Sequence, residues 1–293
     1  MNWPLFFAFL SPAIWAFINV FDTCVLKSKV KHVLSFAVIS GIVNILVGLI
    51  MVSFLDWSGY SFFDLKFSIL AGAMLGLQLY FYYHILAKHD ASNAIGLVYI
   101  YPIIVALLSF LFLNEKLSLL GYLGIFITLI GVVSMTIRLR KLNISMGLWS
   151  IGVVAITSAL NEFFIKVATI QLPEWHGASI NLIVMGILVL PALLKKSVRK
   201  GFVKELKNTK YVYLSEILTL IAVSTIYLAM NGLSATIVSV ISVTQPLFVL
   251  IFETIAVYFG FKIINEFNWK HKLFSILLIV MGIIIMYLSD VRA

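Results

Sequence analysis

The sequence predicts an all-α integral membrane protein with ten transmembrane helices, which form two inverted five-helix repeats. Three observations lead to this prediction. The composition is too apolar for a protein whose whole surface faces water, ten apolar segments have the length of a membrane span, and the second half of the chain repeats motifs of the first half.

The amino-acid composition points to a lipid environment. Of the 293 residues, 62% are hydrophobic and 11% are charged, whereas an ordinary soluble domain has roughly 25% charged residues. So few charges cannot cover the surface of a globular protein of this length. The apolar excess therefore faces the lipid bilayer, and we expect no large soluble domain.

Ten apolar segments are long enough to cross a membrane. A spanning helix needs about 20 residues, and backbone groups in lipid must hydrogen-bond within their own segment, which makes each segment a helix. The first segment has no basic start and no small-residue cleavage signature, so we expect a retained helix and not a signal peptide. The longest predicted loop is the basic stretch 195–210. Segments 1 to 10 cover residues 4–25, 33–55, 67–87, 91–113, 119–137, 147–168, 177–194, 211–231, 234–261 and 271–289.

The basic residues are distributed unevenly between the two sets of loops. Of the 21 Lys and Arg residues, 17 follow segments 1, 3, 5, 7 and 9, and 4 lie on the other face together with both termini. By the positive-inside rule, the basic loops are cytoplasmic and both termini are non-cytoplasmic. We therefore expect a multi-pass protein of the cell (inner) membrane. These loops also account for the net charge of +9, so nucleic acid is not an expected partner.

The two halves of the chain share motifs in the same order. In each half an Ala-Ser or Ala-Thr pair precedes a proline by 11 residues, and an Asn-Glu pair and a glycine follow. Because each repeat has five spans, an odd number, the second copy (144–293) is inverted relative to the first (1–143). Inverted repeats place a binding site at their interface, near the membrane midplane. The shared anchors are Ala91, Pro102, Asn114, Glu115 and Gly131 in the first half and Ala235, Pro246, Asn265, Glu266 and Gly282 in the second.

These anchors, together with an early tryptophan at Trp15, resemble the EamA family of the drug/metabolite transporter superfamily. The resemblance covers nearly the whole chain. It implies a secondary transporter that moves a small polar or amphipathic organic metabolite by alternating access, through a central cavity lined by segments 1, 3, 4, 6, 8 and 9. Relatives carry substrates that range from amino acids to choline-like cations, so the family alone fixes no substrate.

Two features depart from the family pattern. The spacing from proline to glutamate is 13 residues in the first half and 20 in the second, which predicts a longer segment 9 or a kink near Gly260. Many relatives have cytoplasmic termini, whereas the charge distribution of this chain predicts the opposite orientation. We follow the charges for the orientation, because their bias is large.

Segment 1 carries a polar stripe that is a candidate for the cavity wall. Polar groups at this depth normally face protein or a water-filled cavity. Trp15, Asn19 and Asp22 lie on one helical face. We expect Trp15 and Asn19 to bind substrate and Asp22 to take part in ion or proton coupling. The alternative for Asp22 is a structural pair with Lys27 or with a neighbouring helix.

Segment 6 carries a second set of polar residues. Asn161 is the repeat counterpart of Asn19, and we expect it to bind substrate. Glu162 is a candidate site for a coupling proton or cation. Alternatively, Glu162 and Lys166 are four residues apart on a helix and form a structural ion pair.

Four further side chains are predicted to bind substrate. Gln78 and Tyr82 share a face of segment 3, and a tyrosine can stack on a flat or cationic group. The alternative for Tyr82 is a place in the interfacial aromatic belt. Tyr99 and Gln245 flank the prolines of segments 4 and 9, which makes them candidates for the same cavity.

The prolines of segments 4 and 9 are candidates for gating. Pro102 and Pro246 sit in the middle of their segments, and each lacks a backbone donor and frees a carbonyl, which predicts a kink. Such kinks either gate the cavity or only adjust helix packing. Glu253 follows Pro246 by seven residues and is a third candidate for ion or proton coupling, or the partner of a basic residue elsewhere.

Several classes of function find no support in the sequence. The single cysteine, Cys24, excludes an intramolecular disulfide and a cysteine-based zinc cluster. No nucleotide-binding loop, zinc-protease motif or catalytic triad is present, so we expect no catalytic residue, no metal, no cofactor and no enzyme. The alternative to a metabolite carrier is a flippase for a lipid or lipid-linked sugar, whose cavity opens sideways to lipid. The chain alone is compatible with a monomer or a homodimer.

Overall fold

A computed structural model describes residues 3–88, 98–136, 144–259 and 269–290. These residues form α-helices and short 3-10 turns, and no β-strand occurs among them. The apolar segments become helices because each backbone N–H finds its acceptor within the same segment. The helices are α1 (Trp3–Ser28), α2 (Val33–Phe54), α3 (Lys66–Lys88), α4 (Tyr101–Leu113), α5 (Leu119–Thr136), α6 (Ile144–Gln171), α7 (Glu174–Val189), α8 (Lys196–Glu205), α9 (Thr209–Gly232), α10 (Ala235–Ser242), α11 (Gln245–Tyr258) and α12 (Trp269–Asp290).

The helix lengths and composition are those of a multi-pass membrane protein. Within the described residues, seven helical stretches are long and apolar enough to cross a membrane, and three shorter apolar helices accompany them. Large apolar side chains such as Phe54, Leu107 and Leu277 are exposed on the outside of the bundle, as expected for a surface that faces lipid. The protein is therefore an integral membrane protein with several spans, and the number of ten stays a prediction.

Two predicted segments differ from the structure. The basic stretch 195–210, predicted as a loop, contains the helix α8 and a 3-10 turn at Leu206–Asn208. Segment 9, predicted as one helix, is divided into α10 and α11 by a turn at Val243 and Thr244. Such a break is possible in a membrane protein because the surrounding helices shield its backbone from lipid.

The two repeated prolines begin helices instead of bending them. Pro246 is the second residue of α11, and Pro102 is the second residue of α4. In the first turn of a helix the backbone N–H groups have no intrahelical partner, so a proline is tolerated there. The expected disturbance at Pro246 therefore takes the form of a break in segment 9 just before the proline, and not of a bend within one continuous helix. Residues 91–97 of segment 4, and Gly260, Asn265 and Glu266, lie outside the described residues.

The main helix pairs join the two halves of the chain. The helix α1 packs along α9, and α3 packs along α6. The helix α2 packs on α7, and α5 packs on α12. In terms of segments these are the pairs 1–8, 3–6, 2–7 and 5–10. These four pairs are unchanged when each segment is exchanged for its counterpart five segments away, whereas the further strong pair of α3 with α7 has only a weaker counterpart between α2 and α9.

The closest helix contacts are made at glycines. A Cβ atom added to Gly282 of α12 would lie 2.5 Å from the carbonyl oxygen of Gly124 and 2.6 Å from the backbone nitrogen of Thr128 on α5. Backbone atoms at this distance cannot move aside without shifting a helix. Small residues at such positions let membrane helices approach closely, where van der Waals contacts hold them together.

Replacing Gly282 with alanine is expected to destabilise the protein, because the new methyl group overlaps the backbone of α5. Overpacking of this kind typically costs about 1–3 kcal/mol. Thermal unfolding in detergent measures the effect. Gly152→Ala on α6 is the matched control, because a Cβ atom there meets nothing within 4 Å. Equal stability of the two variants would contradict the close approach of α5 and α12.

The Asn-Glu pair of the first repeat connects α4 to the second half. Asn114 ends α4 in the left-handed conformation, with a φ of 54°, which asparagine tolerates better than most residues. The next residue, Glu115, accepts hydrogen bonds from the backbone N–H groups of Ala235 (3.0 Å) and Thr236 (3.3 Å). Glu115 therefore caps the positive N-terminus of α10.

Glu115→Ala is expected to lower the free energy of unfolding by about 1 kcal/mol, the usual effect of removing a helix cap. The reason is that two N–H groups of α10 lose their acceptor while they remain partly buried. Thermal unfolding of the purified variant measures it. Lys116→Ala is the control, since Lys116 is the adjacent residue and is exposed. An unchanged unfolding temperature in Glu115→Ala would contradict the capping role.

The acidic loop residues and most of the basic residues lie at different ends of the helix bundle. At one end the backbone N–H of Ser58 donates to Asp56 (2.9 Å) and that of Ser61 donates to Asp64 (2.7 Å). The hydrogen bond from Ser58 lowers the pKa of the exposed Asp56 carboxyl below its ordinary value, so this carboxylate stays ionised at neutral pH. The other end holds the lysines that follow α1 and those of α8, which makes it strongly basic.

Candidate functional site

A central cavity of about 130 Å³ lies between helices from both halves of the chain. Its walls come from α1, α3, α4, α6, α9, α10 and α11, with one residue each from α7 and the turn at Val98–Ile100. This agrees with the six segments that the family resemblance implies. The polar and aromatic lining residues are Ser11, Trp15, Asn19, Asp22, Gln78, Tyr82, Tyr83, Tyr101, Ser158, Asn161, Glu162, Glu216, Thr219, Ser242 and Gln245.

The stripe of α1 faces this cavity as its helical spacing predicts. Trp15, Asn19 and Asp22 all line it. The side-chain oxygen of Asn19 accepts a hydrogen bond from the hydroxyl of Tyr82 on α3. The buried carboxyl of Asp22 accepts one from the hydroxyl of Ser215 on α9, at 2.9 Å. The observed partner of Asp22 is therefore a hydroxyl group on a neighbouring helix, which is one of the two structural alternatives given for this residue.

A second carboxyl lies beside that of Asp22. Glu216 on α9 is buried and lines the cavity, and its charge and that of Asp22 are close enough to interact. One of its oxygens accepts a hydrogen bond from the hydroxyl of Ser40, and the other accepts one from the amide of Asn44 at 2.6 Å. Tyr83 in turn donates to the Ser40 hydroxyl at 3.1 Å. Three helices thus hold this acid in a fixed position.

A third carboxyl belongs to Glu162 on α6. One of its oxygens accepts a hydrogen bond from the hydroxyl of Tyr101 at 2.8 Å, and the other is buried and has no hydrogen-bond partner. The amine of Lys166 instead donates to the carbonyls of Met230 (2.7 Å) and Leu233 (2.8 Å). Carbonyls at a helix end lack intrahelical donors and attract such a cation. The alternative of an ion pair between Glu162 and Lys166 is therefore wrong.

The amide side chains of the cavity are held by neighbouring helices. Asn161 donates to the carbonyl of Ala71 on α3 at 2.8 Å, and the oxygen of Gln78 accepts from the hydroxyl of Ser158 at 3.2 Å. Gln245 lines the cavity from the start of α11. Each amide has a second polar atom that is not used in these bonds, so it can still offer a donor or an acceptor to a solute.

The first half of the chain matches a known family of membrane proteins. The model of the EamA-like transporter family matches residues 2–137. These residues belong to the EamA-like transporter family. A solved crystal structure is similar to this EamA-like protein over 99% of both chains, with a TM-score of 0.67 and 19% sequence identity, which shows a shared fold across both halves. No curated protein gives a significant match.

The match of residues 2–137 to this family points to transport of small substrates across a membrane. The cavity is the part of the described structure suited to this task, because it combines polar groups with a position inside a bundle of spanning helices. Among the described residues, no group of three or more His, Cys, Asp or Glu side chains could hold a metal ion.

Not every predicted site residue of the EamA-like protein lines the cavity. Glu253 is buried on α11 near Cys24 and is not among the lining residues. Pro102 and Pro246 are buried next to lining residues, but they do not line the cavity themselves. The side chain of Tyr99 lies outside the described residues. The roles of these residues in coupling, gating and binding stay predictions.

Seven of the fifteen described polar and aromatic lining residues were not among the predicted site residues, and the most prominent of them are Glu216, Tyr83 and Tyr101. Glu216 is an acid inside the apolar stretch 211–231, and this alone would have made it a candidate. Tyr83 and Tyr101 are close neighbours in sequence of residues that were selected. Nothing in the sequence distinguished them, because which of two neighbouring tyrosines faces the cavity depends on how the helix is rotated in the bundle.

Proposed function

We propose that this EamA-like protein is a secondary carrier that moves a small organic cation through the central cavity by alternating access, in exchange for protons. One observation carries this proposal. Three carboxyl groups, those of Asp22, Glu162 and Glu216, line one cavity, and none of the described residues that line it is Lys, Arg or His.

The electrostatics of the cavity favour a positively charged cargo. A carboxylate removed from water is costly unless a proton or a cation neutralises it. The titratable neighbours of these acids are tyrosines: Tyr101 for Glu162, and Tyr82 and Tyr83 around Asp22 and Glu216. The nearest lysine of α6, Lys166, is bound to backbone carbonyls. The charge of the acids must therefore be balanced by something that enters the cavity.

The same electrostatics suggest how transport is driven. A proton and an organic cation are alternative partners for the same carboxylates, so binding of one favours release of the other. Two ligands that compete for one site in a carrier are exchanged across the membrane when the site faces each side in turn. This supports exchange of protons for the cation as the source of energy.

The aromatic side chains and the size of the cavity favour a small organic ion. Trp15, Tyr82 and Tyr101 line it beside the acids, and aromatic faces attract ammonium groups within about 6 Å of the ring centroid. A volume of about 130 Å³ is smaller than the roughly 300–1,000 Å³ of common ligand pockets. This favours a compact cargo, or a cavity that widens as the helices move.

The arrangement of the helices supports two repeats, 1–143 and 144–293, that move against each other. Four of the main helix pairs join a segment of one half to a segment of the other, and these four are the same set after the halves are exchanged. The break between α10 and α11 lies beside Ser242 and Gln245, two lining residues. Discontinuous helices next to a midplane site are typical of carriers with inverted repeats.

The experiment compares charged solutes with neutral solutes of the same shape. Purified protein is screened by thermal shift against choline and its neutral carbon isostere 3,3-dimethylbutan-1-ol, and against primary amines, amino acids, nucleosides and sugars. Stabilising amines are then tested for uptake into proteoliposomes with an acidic lumen. We expect amines to stabilise the protein and the pH gradient to accelerate uptake. Equal stabilisation by neutral isosteres would contradict a cation carrier, and uptake indifferent to the gradient would contradict proton exchange.

A further inference from the structure

The basic end of the helix bundle holds a second cavity, whose charge and composition differ from those of the central cavity. It has a volume of about 310 Å³ and lies between the α1–α2 linker and the end of α8. Its wall contains four lysines, one histidine and one glutamate. The lining residues are Lys29, Lys31, His32, Lys204, Glu205 and Lys207.

Among the described residues that line this cavity, Glu205 is the one acidic residue, and both of its carboxylate oxygens accept hydrogen bonds within the protein. One oxygen of Glu205 accepts from the backbone N–H groups of Lys31 and His32, both at 3.0 Å. The other oxygen accepts from the amide of Asn208 at 2.6 Å. Asn208 also donates to the carbonyl of Lys29 at 3.2 Å. Glu205 thus fixes the linker against the end of α8. Both of its carboxylate oxygens accept hydrogen bonds from backbone N–H groups or from the Asn208 amide.

The four lysines therefore form a site with excess positive charge. Their side chains are exposed, yet the fixed linker and α8 bring them around one cavity. Like charges held together repel one another unless an anion is present. An ammonium group donates charge-assisted hydrogen bonds to phosphate oxygens, and several of them around one cavity suit a phosphate group.

The position of the cavity places it at the membrane surface. The linker joins the end of α1 at Ser28 to the start of α2 at Val33, so it lies where two spanning helices leave the membrane. Gly201 lets α8 rest directly on this region, because a Cβ atom there would lie 2.8 Å from the Cβ atom of His32. The Ser35 hydroxyl also donates to the carbonyl of Val198 at 2.9 Å.

Exposed apolar side chains accompany the lysines. Leu194 is 82% exposed, Val203 is 69% exposed and Leu206 is 47% exposed. Val203 lies in α8, and Leu194 and Leu206 lie in the turns on either side of it. A short basic helix with exposed aliphatic residues in and beside it is typical of a segment that lies in the membrane interface. A soluble anion would bind the lysines without contacting these apolar side chains. A phospholipid has a phosphate group for the lysines and acyl chains for the apolar side chains.

We propose that this cavity binds the headgroup of an anionic phospholipid, with the phosphate among the four lysines and the acyl chains along Leu194, Val203 and Leu206. Clusters of lysine beside a membrane span bind anionic lipids through charge. Here the lipid headgroup contacts both the α1–α2 linker and the end of α8, and so holds them together at the basic end of the bundle. The proposal is independent of the solute that the central cavity carries.

The test compares two variants that remove the same charge from the same end of the bundle. The pocket variant replaces Lys29, Lys31, Lys204 and Lys207 with Gln. The control variant replaces Lys195, Lys196, Arg199 and Lys200 with Gln; these residues are exposed on the same face but do not line the cavity. Native mass spectrometry measures the phosphatidylglycerol, phosphatidylcholine and inorganic phosphate retained by each purified protein.

We expect the natural protein to retain phosphatidylglycerol in preference to phosphatidylcholine, and the pocket variant to bind it about tenfold more weakly, while the control variant binds it normally. Equal loss in both variants would mean diffuse attraction and would overturn the site. Retention of inorganic phosphate as strong as that of phosphatidylglycerol would overturn the choice of a lipid. If the fourfold pocket variant does not fold, Lys29→Gln with Lys31→Gln, and Lys204→Gln with Lys207→Gln, are each expected to weaken binding; normal binding in both pairs would overturn the proposal.

Discussion

Glu162→Gln is expected to lower the rate of proton-driven cation uptake by about 100-fold, since losing one partner of a buried charge interaction is typically worth roughly 2–5 kcal/mol. The carboxyl of Glu162 is held by Tyr101 through one oxygen, while its other oxygen is buried and has no hydrogen-bond partner. That second oxygen is available to a proton or to the ammonium group of the cargo. Glutamine keeps the shape of the side chain and its acceptor for Tyr101, but it cannot carry a charge. Uptake of the best amine from the thermal-shift screen, measured in proteoliposomes with an acidic lumen, tests the prediction.

Two further variants separate the role of the charge from that of the surrounding structure. Tyr101→Phe removes the hydroxyl that orients Glu162 and is expected to slow uptake less than Glu162→Gln does. Glu174→Gln is the matched control, because Glu174 contacts Asn231 at the acidic end of the bundle and does not line the cavity. If Glu162→Gln transported the amine at the rate of Glu174→Gln, the proposed role of the Glu162 carboxylate would be wrong.

The helices and the two polar faces were predictable because they depend on local periodicity. Apolar length marks a spanning helix, and the spacing of Trp15, Asn19 and Asp22 puts them on one side of α1 whatever its neighbours are. The same holds for Asn161 and Glu162, provided that the polar side of α6 turns inward. All five residues line the central cavity, and their roles in binding or coupling stay predictions.

The partners of the charged residues were not predictable from local spacing. Glu162 and Lys166 have the spacing of an ion pair, but the carbonyls of Met230 and Leu233 at the end of α9 accept the hydrogen bonds of the amine instead. The contact of Glu216 with Ser40 and Asn44 joins residues more than 170 positions apart. Such contacts depend on which helices pack together, and a single sequence contains no local record of that.

The helix α8 was missed for a different reason. Its high charge ruled it out as a membrane span, and the stretch 195–210 was therefore predicted as a loop. Yet Val198, Gly201, Phe202 and Glu205 recur at helical spacing, the pattern of a helix with one packed face. Val198, Gly201 and Glu205 are buried and Phe202 is half-buried. A search for helical periodicity inside the charged stretch would have found this helix.

Glu216→Gln is expected to uncouple the carrier without preventing it from binding its cargo. Asp22 and Glu216 are both buried and line the same cavity, and two carboxylates in one water-poor cavity are costly to ionise together unless a cation joins them. A proton held by this pair is therefore released when the organic cation enters. In the variant only the acid of Asp22 remains, and it can bind the cation without exchanging this proton.

The uncoupling is measured by comparing two kinds of uptake by the same variant. Uptake driven by a pH gradient is expected to fall about tenfold, within the range of common coupling energies between two ligands. Exchange of labelled for unlabelled cation, without a gradient, is expected to persist. Asp56→Asn, in an exposed loop at the acidic end, is the control and should leave both unchanged.

The choice of glutamine makes a loss of structure distinguishable from a loss of coupling. The amide oxygen of the introduced glutamine still accepts a hydrogen bond, so contacts with Ser40 or Asn44 can persist and the helices α2 and α9 stay together. If gradient-driven uptake and exchange fell in parallel while the unfolding temperature stayed constant, Glu216 would serve cargo binding and not proton exchange. Proton exchange would then have to take place at Glu162. Among the described residues that line the cavity, it is the third carboxyl besides Asp22 and Glu216.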